Sequence, residues 1–141
     1  SCDLAYSSSR AKYATPGVNI GLFCSTPMVP LSRTVGKKQA MEMLLTGDLI
    51  DANKALRIGL INDVFDTDNL KENVFQIAKK ISSKSSNTIK IGKEAFYRQK
   101  DMNLEDAYTY TSSVMTKNML HEDSKEGIEA FLEKREPNWK E

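Results

Sequence analysis

Apolar positions recur at helix spacing through most of this chain. Lys37 to Leu45 carries Ala40, Met41, Leu44 and Leu45 on one stripe, which predicts a helix, and Gly47 falls where a C-terminal cap belongs. Asp51 is placed to cap a short helix carrying Ala55, Leu56 and Ile58, closed again by glycine at Gly59. Leu60 to Phe65 reads as a short extended return. Leu70, Val74, Ile77, Ala78 and Ile81 then define a strongly amphipathic helix. A serine-rich break covers Ser82 to Ser86, and Ile89 to Tyr97 begins a further helix. Asn103 with Asp106 has the form of an N-cap followed by an acid at its third helical position. Leu104, Ala107, Thr111, Val114 and Met115 share the face that follows. Asp123 with Glu126 repeats that signature, ahead of Ile128, Phe131 and Leu132.

The first part of the chain reads differently. Cys2 to Tyr6 is expected to be a strand and Ser7-Ser8-Ser9-Arg10 a polar turn. Lys12 to Thr15 is a second extended piece, ended by Pro16-Gly17. Gly17 and Gly21 bracket Val18-Asn19-Ile20, which has little helix preference and reads as turns. An apolar strand at the first residues needs a neighbour for its hydrogen bonds. Little later chain is suited to supply one, so the expectation is a C-terminal half whose N-terminal half is absent. Several helices have two apolar sides, which predicts burial against another segment or subunit.

Composition narrows the function classes. The 141 residues hold 40% apolar and 28% charged side chains, as in an ordinary globular chain. Lys plus Arg number 20 against 19 for Asp plus Glu, so there is no electrostatic footprint for nucleic acid. No run of eighteen apolar residues predicts a membrane span. Cys2 and Cys24 make no disulfide framework and have no metal-ligand spacing. His121, the one histidine, reads as a helix cap rather than a catalytic group or metal ligand. Cys24 reads as packing or pocket lining, since a cysteine nucleophile needs a base within reach. Asp3 and Glu42 form no acid–base pair. The Gly17 to Gly21 segment is able to aim backbone N–H groups at a ligand oxygen. Lys134 and Arg135, at a helix end, either meet a ligand phosphate or complement the helix dipole.

Four stretches together carry a resemblance. They are Ser1 to Gly21 with Thr34-Val35-Gly36-Lys37-Lys38-Gln39-Ala40-Met41 through Gly47, Ala52 to Val64, and Lys125-Glu126-Gly127-Ile128-Glu129-Ala130-Phe131-Leu132-Glu133-Lys134-Arg135. In that order they resemble the enoyl-CoA hydratase/isomerase, or crotonase, family across nearly the whole chain. The resemblance implies an α/β fold: the C-terminal part of a β-β-α spiral over residues 1–66, then a helical trimerisation and CoA-contact region over residues 67–141. It implies homotrimers, often paired into hexamers, an acyl-CoA thioester as ligand, a place in fatty acid metabolism and a mitochondrial location. Coenzyme A enters as part of the substrate or ligand, with no separate cofactor and no metal.

Family hydratases place water and move a proton with two glutamates. By the resemblance one precedes Ser1, as do both oxyanion-hole N–H groups, and the other falls immediately after Pro16. Here that residue is Gly17, which cannot accept a proton; a positioned acid–base group contributes roughly 10²–10⁴ in rate. No residue of this chain is therefore assigned a catalytic role. The resemblance assigns Gly17, Val18, Leu22 and Phe23 to the acyl pocket, and Met115 and Lys134 to contact with CoA. Met115 stands where some hydratases carry an aromatic ring, keeping apolar contact without stacking. Cys24-Ser25 departs from a proline–glycine segment common in active hydratases. The leading expectation is an acyl-CoA-binding protein with weak or absent hydratase activity. An active enzyme using another acid, and a structural oligomer partner without CoA affinity, are the alternatives.

Overall fold

The computed structural model describes residues 2–140, which fall into two compact units meeting at Ile77 and Ala78. In the first unit, β1 (Tyr6–Ser8) pairs in parallel with β4 (Asp63–Phe65), in the register Tyr6 opposite Asp63 and Ser8 opposite Phe65. A second pair, β2 (Lys12–Tyr13) with β3 (Ile50–Asp51), is antiparallel. The first strand therefore starts at Tyr6 rather than Cys2, and Ser7 and Ser8 lie inside it. Its partner comes from within this chain, which corrects the expectation that no later segment supplies one. The physical reason lies in Asn62. Its backbone N–H donates to the Ala5 carbonyl at 2.7 Å, and its side-chain oxygen accepts from the Ala5 N–H at 2.7 Å. These two bonds lay the return strand alongside the first.

Between the strands sit the helices. Pro16–Ile20 is a 3₁₀ helix rather than a set of turns, started by Pro16, whose fixed φ suits a first helical position. The helix α1 (Ser25–Thr34) follows, in a stretch where the apolar pattern predicts no helix. Its prolines obscure it: Pro27 sits in the first turn, where a missing N–H costs nothing, but Pro30 lies inside. The predicted helix at Lys37 is α2 (Lys37–Thr46), capped by Gly47 at φ +65°. Asp51 caps α3 (Ala52–Arg57) through its side chain, which accepts from the Lys54 N–H at 2.7 Å. Gly59, at φ +77°, closes that turn. The core of this unit is Leu31, Val35, Ala40, Met43, Leu44, Ile50, Ala55 and Ile61. It joins α1, α2, β3 and α3, and Leu44 is only 1% exposed. Burying a side chain of this class contributes about 1.5–3 kcal/mol, so this cluster sets where the elements meet.

The long amphipathic helix is α4 (Leu70–Ser82), which runs across the boundary between the units. The second unit contains α5 (Ser86–Gln99), α6 (Leu104–Met119) and α7 (Glu122–Glu133). Ser85 is the N-cap of α5, accepting from the Thr88 N–H at 3.1 Å, so the helix begins three residues earlier than its apolar pattern does. Asn103 caps α6 as the sequence predicts, accepting from the Asp106 N–H at 3.0 Å while its amide returns a bond to the Asp106 carboxylate at 2.7 Å. At α7 the Asp123 cap signature is off by two residues, whereas His121 has the cap role expected of it. His121 is the cap, taking the Asp123 N–H on Nδ1 at 3.3 Å, and Asp123 lies in the first turn, 2% exposed. The buried Asp123 carboxylate accepts instead from the Ser85 hydroxyl, which offsets the cost of burying it.

Glycine 47 illustrates how tightly the first unit is assembled. A Cβ there would lie 2.9 Å from the Asn19 side-chain oxygen and 3.0 Å from Val18, on a backbone already in the left-handed region. Gly92, inside α5, has nothing within 4 Å of the same point. Gly47→Ala is expected to cost about 2–3 kcal/mol, from left-handed strain plus overpacking. Gly92→Ala is expected to gain roughly 0.5–1 kcal/mol through helix propensity. Urea denaturation of the two variants measures both, and equal midpoints would contradict the assignment.

Candidate functional site

Four of the six predicted ligand contacts lie on one segment, and its path is fixed from both sides. Thr15 is buried and donates its hydroxyl to the Met43 carbonyl at 2.8 Å. That carbonyl, in the last turn of α2, also accepts from the Gly47 N–H at 3.1 Å. Asn19 and Val18 then pack over Gly47. The 3₁₀ helix ends at Gly21, φ +77°, whose N–H donates to the Val18 carbonyl at 3.2 Å. The chain folds back so that the Leu22 N–H reaches the Gly17 carbonyl at 2.9 Å, and α1 starts after Cys24.

Gly17 and Val18 are half-buried, while Leu22 is 64% and Phe23 43% exposed. Together with Ile20 they present an apolar edge. The expectation that Gly17 to Gly21 aims its N–H groups at a ligand oxygen is corrected at Gly17 and Gly21, and Leu22 just beyond behaves the same way. The Gly17 N–H is taken by Cys24 Sγ at 3.3 Å, and those of Gly21 and Leu22 are spent inside the loop. A compact loop with two glycines closes its own short-range bonds before it can offer them outward. Cys24 therefore has the packing role expected for it, and both Cys24 and Cys2 are free thiols.

Met115 and Lys134 belong to the second unit. Met115, on α6, borders a hollow of about 740 Å³ that it shares with Met119, Ile128, Phe131, Leu132 and Trp139. Its polar end includes Ser85, Asn118 and Asp123. Lys134 ends α7 in the left-handed conformation, φ 54°, with its side chain exposed. Arg135 is a different case. Its guanidinium binds both oxygens of Glu126, at 2.6 and 3.0 Å, and Glu133 at 2.6 Å. These bonds hold its pKa above the ordinary arginine range. Of the two cations read as phosphate contacts, Arg135 is thus committed to carboxylates, and Lys134 remains outward.

Sequence reasoning missed the strap that organises this unit. After α7 the chain turns back. The Asn138 N–H donates to Glu126 at 2.7 Å, the Trp139 indole N–H to the Ser83 carbonyl at 2.8 Å, and the Lys140 N–H to Asp123 at 3.1 Å. Trp139 lies so close to Gly127 that a Cβ there would come within 3.3 Å of its ring. The Ser85 hydroxyl, foremost, keeps the Asp123 carboxyl below its usual range. The signal was present in Asp123-x-x-Glu126-Gly127, but the same letters also spell a cap. Among the described residues no helix is long and apolar enough to cross a membrane, and no three His, Cys, Asp or Glu side chains are grouped to hold a metal ion.

The chain belongs to the enoyl-CoA hydratase/isomerase, or crotonase, family, whose pattern matches residues 1–141. It is 50% identical to mouse enoyl-CoA hydratase domain-containing protein 3, mitochondrial, over 139 residues, covering 99% of this chain and 46% of that protein. The crystal structure of the human protein of that name superposes with a TM-score of 0.93 at 48% identity, over 98% of this chain and 55% of that one. The crystal structure of an enoyl-CoA hydratase from Mycobacterium smegmatis gives a TM-score of 0.94 at 43% identity, over 98% and 54%. The architecture is thus that of a crotonase: β-β-α topology followed by a helical region. The chain spans about half the length of the relatives it matches.

The strap has a pH signature. Bonds from Arg135, then from the Asn138 N–H, lower the Glu126 pKa from 4.5 to about 2. A depressed carboxylate contributes stability that is complete above its unfolded pKa and is lost as pH falls through the folded one. The strap is therefore expected to loosen between about pH 4.5 and pH 2. Trp139 fluorescence follows it, and Glu126→Gln should shift the emission toward the loosened value already at neutral pH. Identical emission from both proteins at neutral pH would contradict the assignment.

Proposed function

We propose that the protein binds an acyl-CoA thioester and has weak or absent hydratase activity. The observation that carries this reading is Gly17, the residue immediately after Pro16. By the family pattern a glutamate at that position orients water and transfers a proton. A glycine offers no group for either step, and the loss costs roughly 10²–10⁴ in rate. The apolar edge of Ile20, Leu22 and Phe23 supports an acyl-chain contact, because it is an exposed apolar surface beside that position.

In this reading Gly17, Val18, Leu22 and Phe23 line the acyl pocket. Met115 and Lys134 meet the CoA portion, Lys134 as an exposed point charge toward phosphate. Residues 67–141 form the trimerisation and CoA-contact region. Exposed Leu104, Tyr108, Leu120, Phe131 and Leu132 support assembly as a homotrimer or a hexamer of paired trimers. The upstream part of the fold supplies the oxyanion-hole N–H groups. A mitochondrial location and a place in fatty acid metabolism accord with the mitochondrial relatives. The observation favouring an active hydratase is the 43% identity to the Mycobacterium smegmatis enzyme.

The test is calorimetric titration of crotonyl-CoA into the full-length assembled protein, with the same sample analysed for hydrated product. Saturable binding without product is expected. Product formation would show that Gly17 does not remove the activity. Absence of both heat and product would move the protein toward a structural role.

A further inference from the structure

The space where a side chain at position 17 would stand is already filled. A Cβ on Gly17 would lie 2.5 Å from the Leu22 carbonyl oxygen and 2.8 Å from Cys24 Sγ, both inside any tolerable contact. Neither neighbour is loosely placed. The Leu22 residue is tied back to position 17 by its own N–H, which donates to the Gly17 carbonyl at 2.9 Å. Cys24 accepts the Gly17 N–H on its sulfur at 3.3 Å, and its carbonyl accepts from the Met28 N–H at 2.9 Å as α1 begins. Nothing about the Gly17 backbone demands glycine, since its φ lies outside the left-handed region that Gly21, Gly47 and Gly59 occupy. The demand comes from the close approach of residues 22 and 24.

We propose that position 17 is closed as well as lacking its acid, and that Cys24 is the positioning residue that keeps it closed. The thiol and the Leu22 carbonyl together take the volume through which a carboxylate would have to pass. Two consequences follow from the geometry. A carboxylate cannot be restored by changing Gly17 alone, because the loop must first open at residues 22–24. The ligand-facing wall at this point consists of backbone and sulfur, groups that hold an acyl chain but do not activate water. The proposal rests on the assignment of position 17 to the family's acid position, but the contacts that close it do not.

The experiment uses the full-length assembled protein and five variants: Gly17→Ala, Cys24→Ala, the double variant, and Gly17→Glu with and without Cys24→Ala. Overpacking against fixed backbone is expected to lower the melting temperature of Gly17→Ala by roughly 3–6 °C. In the Cys24→Ala background the same change should cost clearly less, because the sulfur is gone and, without its bond to the Gly17 N–H, residues 22–24 can draw the Leu22 carbonyl back. A Gly17→Ala protein that melts with the wild type, or losses that simply add, would overturn the closure. The functional readout is crotonyl-CoA hydration. Gly17→Glu alone should give none, whereas adding Cys24→Ala should give a measurable gain. Equal hydration with and without Cys24→Ala would overturn the positioning role. Hydration by the unmodified protein would instead refute the acid-position reading, and the melting comparison would still decide whether the site is closed.

Discussion

The last turn of α2 is the point on which the first unit depends. One carbonyl, that of Met43, takes a hydrogen bond from the Thr15 hydroxyl and another from the Gly47 N–H. The first bond pins the segment that leads into the 3₁₀ helix. The second completes the left-handed turn at Gly47, and only the missing side chain there lets Asn19 and Val18 settle on it. Leu44, one residue along the same helix, anchors the core. The position of the apolar edge is therefore inherited from the end of that helix. A buried hydroxyl–carbonyl bond is worth about 1 kcal/mol net but leaves a costly orphan when broken. Its location matters more than its strength.

The second unit is held by a different kind of interaction. Its described core is slight, with Ala95 and Ala130 buried alongside the polar Ser85 and Asp123. Around them, charge-assisted bonds from the returning chain land on Glu122, Asp123 and Glu126 of α7, and Ser85 at the start of α5 donates to Asp123. Bidentate Arg135 on Glu126 is the stronger sort of ion pair, since its planar fork matches the carboxylate. Apolar residues elsewhere on α6 and α7 stay exposed, including Phe131 at 81%. This unit thus keeps its shape through polar ties at one end and leaves its apolar faces exposed.

Elements with local punctuation were legible in the sequence. The helix α2 with its Gly47 cap, α3 between Asp51 and Gly59, and α6 behind Asn103 all follow from capping chemistry written within a few residues. The helix α1 was hidden because Pro30 argues against a helix interior, and only packing through Leu31 and Val35 overrides it. The limits of β1 were not local either, as Tyr6 finds its partner at Asp63. At the candidate site, Gly17 was recognisable through family resemblance and Cys24 as packing. That the two touch was not readable, because seven residues of turn geometry separate them and no periodic rule predicts which atoms a loop brings together.

The parallel pairing of β1 with β4 also has a consequence for synthesis. The register sets Tyr6 opposite Asp63, so the first strand leaves the ribosome well before its partner has been made. At elongation rates of about 5–20 residues per second, that interval is roughly 3–11 s. Throughout it the Tyr6–Ser8 edge carries unpaired backbone groups in a nascent chain, the condition under which strand edges recruit the wrong neighbour. The polar Ser7-Ser8-Ser9-Arg10 run makes that wait tolerable, because a serine-rich edge gains little from a chance apolar contact.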